Sequence, residues 1–243
     1  MQFAKPFTKA ILLRRYRRYL VQAMVTPQQH CTLFCPNIGE LNKLDQLGTK
    51  IWFSSSDNPR SKYPYTWEMM ESANGLIDIN LERAIPLVKE AINLGNIAPL
   101  KDYRLVANMQ PNIDVTLNGT NSHRTDQDIP CYLQVNSVLM GDEIQRGFVP
   151  EQPSPEAVKK LAQLKTLKAQ GARVILFYVV QHTGIDRVFP ADHIDPFYGA
   201  MLREIIHHGV EVLAYKAHIS PENITLTKPV EVCIPKRKTK ISN

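Results

Sequence analysis

Ile113-Asp114-Val115 and, beyond a polar loop, Gln134-Val135-Asn136 are the stretches on which the reading of this chain turns. Side chains at strand positions i and i+2 share a face. An Asp near the start of one strand and a Glu-x-Lys on the next therefore converge on one point, an arrangement that holds a metal ion for phosphodiester cleavage. Here the spacing is kept and the charges are gone. Gln134 has the shape of Glu without its charge, and Asn136 is too short and neutral to stand in for Lys. The expectation is binding without cleavage.

Outward from these stretches, residues 113–118 and 131–140 read as strands joined by a polar segment, 119–130, with no packing pattern. Ser154 is a good N-cap and Pro155 a good first helical residue. Val158, Leu161, Leu164 and Leu167 then form an apolar stripe that ends at Gly171. Residues 174–180 are almost wholly apolar, as in a strand buried on both faces. Asp195-Pro196 opens a second helix with Met201, Leu202, Ile205 and Ile206 inward and Gly209 as its stop, and residues 210–215 close the order as a last strand. This β-β-α-β-α-β order gives a mixed sheet with helices packed on it.

The first eighty residues have a different texture. Residues 11–25, 32–34, 50–54, 65–71 and 75–80 read as strands, with turns at 35–39 and 56–59. About five short strands in this space predict a small closed barrel, with an OB-fold as the candidate. Residues 82–93 then place Ala84, Leu87, Val88, Ala91 and Ile92 at helical spacing, with Pro86 in the first turn and Gly95 as the stop. The expected division is an OB-like β-barrel over residues 1–82 and an α/β domain over residues 83–243, α+β overall.

At 243 residues and 44% hydrophobic, the chain can bury one large core or two small ones. No run reaches the roughly 18 apolar residues of a membrane span, and residues 10–13 are too short for a signal-peptide core. Four scattered cysteines, Cys31, Cys35, Cys131 and Cys233, fit a reducing compartment, so the expected location is the cytoplasm, away from membranes. His30, Cys31 and Cys35 lack a second ligand pair, which favours buried thiols over a metal site.

Charge is unevenly placed. Residues 1–39 hold six Lys/Arg and no acid, and residues 236–243 hold four more, leaving 19 Lys/Arg against all 23 Asp/Glu in between. Basic ends beside an acidic body point to a polyanion-binding surface, although Lys236, Arg237, Lys238 and Lys240 follow Pro235 without periodicity and read as a tail. Arg14-Arg15-Tyr16-Arg17-Arg18-Tyr19 joins four guanidinium groups to two rings, and Arg60 and Lys62 beside Trp67 repeat the mix. Guanidinium pairs with phosphate and tyrosine stacks on bases. On a single strand Arg15 and Arg17 would share one face, and Arg14, Tyr16 and Arg18 the other. The candidate DNA-binding set is Arg14, Arg15, Arg17, Arg18, Arg60 and Lys62. His123 lies in the polar loop and His207-His208 at a helix end, and none faces a Ser or Cys nucleophile pattern.

Several stretches in order resemble the sugar fermentation stimulation protein (SfsA) family over nearly the whole length. They are residues 15–20, Cys35-Pro36-Asn37-Ile38-Gly39, Ser56-Asp57-Asn58-Pro59, Lys62-Tyr63-Pro64-Tyr65-Thr66-Trp67-Glu68, Phe189-Pro190-Ala191-Asp192-His193-Ile194-Asp195 and residues 209–215. The resemblance implies an N-terminal OB-like domain, a C-terminal restriction-endonuclease-like (PD-(D/E)XK) domain, and non-specific DNA binding linked to sugar-use genes. The departures cluster at the nuclease centre. The family's Ser-Arg-Ile-Asp stands here as Pro111-Asn112-Ile113-Asp114, its Glu-Val-Lys as Gln134-Val135-Asn136, and its Phe-Pro-Asp only loosely as Phe148-Val149-Pro150-Glu151. The remnant site is thus Asp114, Gln134, Asn136 and Glu151, with Asp114 as a weak metal candidate and no cofactor expected.

Three readings follow. The leading one is a DNA-binding protein of this type without catalysis. A second is a nuclease using Mg²⁺ through displaced residues, with Asp114, Glu151 and a lysine moved to Lys159 or Lys160. A third is a protein- or small-molecule-binding module on the same scaffold.

Overall fold

The computed structural model describes residues 1–37, 39, 45–58, 60–108, 110–119 and 129–235. The polar loop around His123 and the basic tail from Lys236 lie outside the described residues. The barrel comprises β1 (Thr8–Tyr16), β2 (Leu20–Thr26), β3 (Gln29–Phe34), β4 (Lys50–Ser55) and β5 (Tyr65–Ser72), with β6 (Gly75–Asp78) as a sixth strand. Its order is β3-β2-β1-β4-β5-β6, and a parallel Phe34–Thr66 pairing between β3 and β5 closes it. Leu12, Val21, Ala23, Leu33, Ile51, Phe53, Trp67 and Met70 fill the interior.

Residues 11–25, expected as one strand, form a hairpin. Arg17 and Arg18 both take positive φ, 52° and 60°, and turn the chain between β1 and β2. Arg15 and Arg17 therefore do not share a strand face. Trp67, expected beside the basic loop, is wholly buried, and its Nε1–H donates to Met69 O at 2.8 Å. The barrel's other tryptophan, Trp52 on β4, is half-buried against the second domain's core.

After a short helical turn, Leu81–Arg83, come α1 (Ala84–Asn93), β7 (Tyr103–Val106), β8 (Val115–Gly119), β9 (Ile129–Val138), β10 (Arg146–Val149), α2 (Pro155–Ala169), β11 (Arg173–Val180), β12 (Arg187–Pro190), α3 (Pro196–His207), β13 (Glu211–Ile219), β14 (Ile224–Pro229) and β15 (Glu231–Val232). The main sheet runs β14-β13-β11-β9-β8-β7, parallel across β13, β11 and β9 and antiparallel elsewhere. β10, β12 and β15 form a small parallel sheet beside it.

β11 is buried on both faces, as its apolar run requires. Val174, Leu176, Tyr178 and Val180 pack with α2 and α3, while Ile175, Phe177 and Val179 pack with α1 on the other side. The helix ends follow local chemistry. Ser154 Oγ accepts from Ala157 N at 3.1 Å, and Asp195 Oδ1 accepts from Phe197 N and Tyr198 N. Gly95, Gly171 and Gly209 end α1, α2 and α3 at positive φ, where glycine alone is unstrained. The last sheet strand is not β13 as expected, because residues 224–229 fold back on it and residues 231–232 join the small sheet. Residues 1–7, assigned by sequence to the barrel unit, pair instead with the second domain through Phe3 N to Glu222 O and Phe7 N to Pro221 O.

Candidate nuclease-like site and basic rim

Register places the first two residues of the motif together. Val115 pairs with Leu133, and Asp114 N donates to Leu133 O at 3.2 Å, so Asp114 enters β8 opposite Gln134. Asp114 Oδ2 accepts from Gln134 Nε2 at 2.5 Å and from Val135 N at 2.7 Å. Burial pushes the Asp114 carboxyl above its usual range, against the Val135 amide and the nearby Lys160 ammonium, which pull it down.

Gln134 and Asn136 face the α2–α3 side of the sheet. They line a cavity of about 260 Å³ with Ser154, Glu156, Lys160 and Leu161 from the start of α2. Asn136 Nδ2 reaches Tyr198 Oη at 3.4 Å, and that hydroxyl pairs with Tyr178 Oη at 2.9 Å. Of the two lysines considered as displaced partners, Lys160 lines this cavity and Lys159 is exposed.

Glu151 is not part of this cluster. Its Oε1 accepts from Leu139 N at 3.2 Å, beyond the end of β9 and three residues past Asn136, and Met140 N also bonds to it. Burial pushes its carboxyl up to about 7. The remnant site therefore contracts to Asp114, Gln134 and Asn136, with Lys160 added.

A divalent cation, which the fold family implies, does not fit these donors. Mg²⁺ wants several hard oxygens, chiefly carboxylates. Asp114 supplies one carboxylate, with Oδ2 already taken by two N–H donors, and Glu156, the other carboxylate on the cavity, is paired with Lys160 at 3.5 Å; the remaining groups are amides. Among the described residues, no group of three His, Cys, Asp or Glu side chains is placed to hold a metal. Cys35 and Cys131 are buried thiols pushed by burial to about 11 and about 12, far from the thiolate a metal needs.

The basic residues of the barrel divide. Arg14, Arg17, Arg18, Arg60 and Lys62 are exposed. Arg14 Nε donates to Gln22 Oε1 at 3.0 Å, and its guanidinium lies 5.4 Å from the centre of the Tyr16 ring. Arg15 turns inward. It donates to Arg18 O at 2.8 Å and Asn37 O at 2.5 Å, and pairs with Asp45 at 3.3 Å with only 9% of its side chain exposed. Its guanidinium ties the hairpin tip to the following loop, so it leaves the candidate DNA-binding set.

Barrel closure brings the other two basic elements together. Cys35 N donates to Tyr19 O beside the hairpin tip, and Tyr63 stacks on Phe34 with centroids 5.9 Å apart. Lys62 sits 5.4 Å over the Tyr63 ring, so the aromatic partner of this loop is Tyr63 and not Trp67. Arg17, Arg18, Arg60 and Lys62 thus occupy one rim of the barrel.

Sequence reasoning missed a buried ionic cluster between the domains. Arg83 bonds to both Asp78 and Glu68, and Gln181 Nε2 donates to Asp78 Oδ2 at 2.9 Å. Its guanidinium also lies over the rings of Phe3 and Phe7. The sole sequence signal was a charged residue, Arg83, beside the apolar stripe of α1.

Comparison with known proteins matches both halves. The family model of the sugar fermentation stimulation protein RE domain covers residues 82–223, and that of the SfsA N-terminal OB domain covers residues 13–79. The sugar fermentation stimulation protein homolog of Shewanella baltica (strain OS195) is 38% identical over 239 residues, 96% of this chain and 99% of that one. The homolog from Shewanella woodyi is 37% identical with the same coverage. The structure of Pyrococcus furiosus SfsA in complex with Ca²⁺ superposes with a TM-score of 0.83 over 96% of this chain and 98% of that one, and at 18% identity it speaks for the fold. With an OB barrel and an RE domain matched in order, and relatives of this identity along almost its full length, the chain belongs to the sugar fermentation stimulation protein family.

Proposed function

We propose that this protein binds DNA through its phosphates, without reading sequence and without cutting. The observation that carries the proposal is the basic rim. Arg17 and Arg18 are exposed, and both sit in the left-handed region, where a non-glycine residue costs about 1–2 kcal/mol. Glycine or asparagine is the cheap choice there, so two adjacent arginines favour a role outside the fold. Arg60 and Lys62 extend the same charge.

Salt dependence tests this directly. Fluorescence anisotropy of a labelled duplex of about 30 base pairs should show log affinity falling steeply with log salt. Arg17→Gly and Arg18→Gly should each flatten that slope by roughly one phosphate contact. The same variants should be as stable as the parent or up to about 1 kcal/mol more stable, since glycine relieves the positive φ. No binding at low salt, or an unchanged slope in both variants, would remove the proposal.

A nuclease with displaced residues has one observation in its favour, the placing of Lys160 beside Gln134 and Asn136. It predicts Mn²⁺- or Mg²⁺-dependent nicking of plasmid DNA that Lys160→Ala abolishes. The donor set around Asp114 favours the non-catalytic reading.

A further inference from the structure

We propose that the cavity lined by Gln134, Asn136 and Lys160 is a binding site for a small, neutral, hydroxyl-rich molecule. This inference does not rest on DNA binding, which uses the barrel rim. It starts from an unanswered hydrogen-bonding group. Gln134 is 3% exposed, its Nε2 is committed to Asp114, and its Oε1 has no partner among the described residues. A buried acceptor without a donor is costly, and a cavity against that side chain lets a ligand supply the donor.

The lining decides which ligand. Inorganic phosphate brings mainly acceptors and meets the Glu156 carboxylate. A cation would donate to Gln134 but face the Lys160 ammonium. Glu156 and Lys160 lie 3.5 Å apart at the open side, so the walls carry one charge of each sign. A hydroxyl group both donates and accepts. One hydroxyl can donate to Gln134 Oε1, while neighbouring ones bridge Glu156 and Lys160 without breaking their pair. Asn136 offers a further donor and acceptor, since its contact with Tyr198 Oη is long at 3.4 Å. Leu161 gives an apolar wall for carbon-bound hydrogens. About 260 Å³ is at the small end for ligand cavities, the size for a single sugar ring or an open-chain polyol.

The test is a titration of the ¹⁵N-labelled full-length chain, following the side-chain amide signals of Gln134 and Asn136 by NMR. Glycerol, D-ribose, D-glucose and myo-inositol are added separately, and sodium phosphate is added at matched ionic strength. The expected result is a saturable shift of both amides with at least one polyol and none with phosphate. Lys160→Ala, on an accessible turn of α2, should weaken that polyol about 10-fold, the loss of one good hydrogen bond to a charged group. Gln134→Leu should abolish binding. No saturable shift with any polyol means that water alone answers Gln134, and the proposal falls. It falls equally if phosphate shifts the amides as strongly, or if Lys160→Ala binds like the parent.

Discussion

Glu151 is where a single residue makes stability depend on pH. Burial outweighs the Leu139 and Met140 amides that favour its charged form, and lifts its carboxyl from 4.5 to about 7. Below pH 4.5 the group is protonated whether the chain is folded or not. Between 4.5 and about 7 the unfolded chain releases the proton and the folded chain keeps it, so this contribution to stability falls as pH rises, by up to about 3 kcal/mol. Urea denaturation at pH 5 and pH 7.5 should show that loss, and Glu151→Gln should flatten it. A variant with the parent's pH slope would place the titrating group elsewhere. At this scale the motif was partly legible. Asp114, Gln134 and Asn136 were found because strand spacing fixes which side chains converge. Glu151 was named from a loose match of Phe148-Val149-Pro150-Glu151 to the family's Phe-Pro-Asp, and its carboxyl is taken by the Leu139 amide beyond the end of β9. Arg15 misled because Asp45 and Asn37, which draw it inward, come from a loop that no local pattern ties to it.

Elements were legible where their chemistry is local. The caps of α2 and α3 were read from Ser154-Pro155 and Asp195-Pro196, since a capping side chain serves its own first turn. Asp195 does more than cap: Oδ1 takes Phe197 N at 3.1 Å and Tyr198 N at 2.9 Å, and Oδ2 takes Ser154 N at 3.0 Å, so one carboxylate fixes the starts of both helices. Asp195→Ala should cost about 2–3 kcal/mol, more than an ordinary cap, while Asp195→Asn keeps the Oδ1 cap of α3 but sets an NH2 against Ser154 N, and should lose about half as much. Thermal melts of the pair decide this, and equal losses would count against the capping role. The β1–β2 hairpin was not legible, because its turn is built from arginines rather than Asn-Gly. A fifteen-residue strand exceeds the usual three to ten, and that length was the available warning. β7, β10 and β12 have four residues each, too few for alternation to declare itself.

For the whole molecule, the main division into barrel and mixed-sheet domain was visible in the change from short strands to helical periodicity. The seam was not, because its three ions, Glu68, Asp78 and Arg83, are joined by Gln181 from about a hundred residues further on. Arg83 holds Asp78 and Glu68 in a buried cluster that Gln181 completes from the end of β11. Arg83→Met should destabilise the protein by about 3–5 kcal/mol, since it strands two buried carboxylates. Changing Arg83, Asp78 and Glu68 together to apolar residues should recover much of that loss, and denaturation of the two variants checks it. β5 links this seam to the basic rim: Tyr65 starts beside the rim, and Ser72 meets His182 of the second domain at 3.3 Å. Eight residues of strand span roughly 26 Å, which sets the distance between the rim end of β5 and its contact with His182.

The placing of the two tryptophans gives the chain a built-in optical label. Trp52 and Trp67 are both in the barrel, on β4 and β5, whereas α1, α2 and α3 all belong to the second domain. Trp67 emission thus follows the barrel interior, Trp52 emission also senses the second domain's core on which it packs, and helical circular dichroism follows that second domain. Coincident melting curves would mark one cooperative unit locked at Arg83, and separated curves would mark two bodies that open in turn.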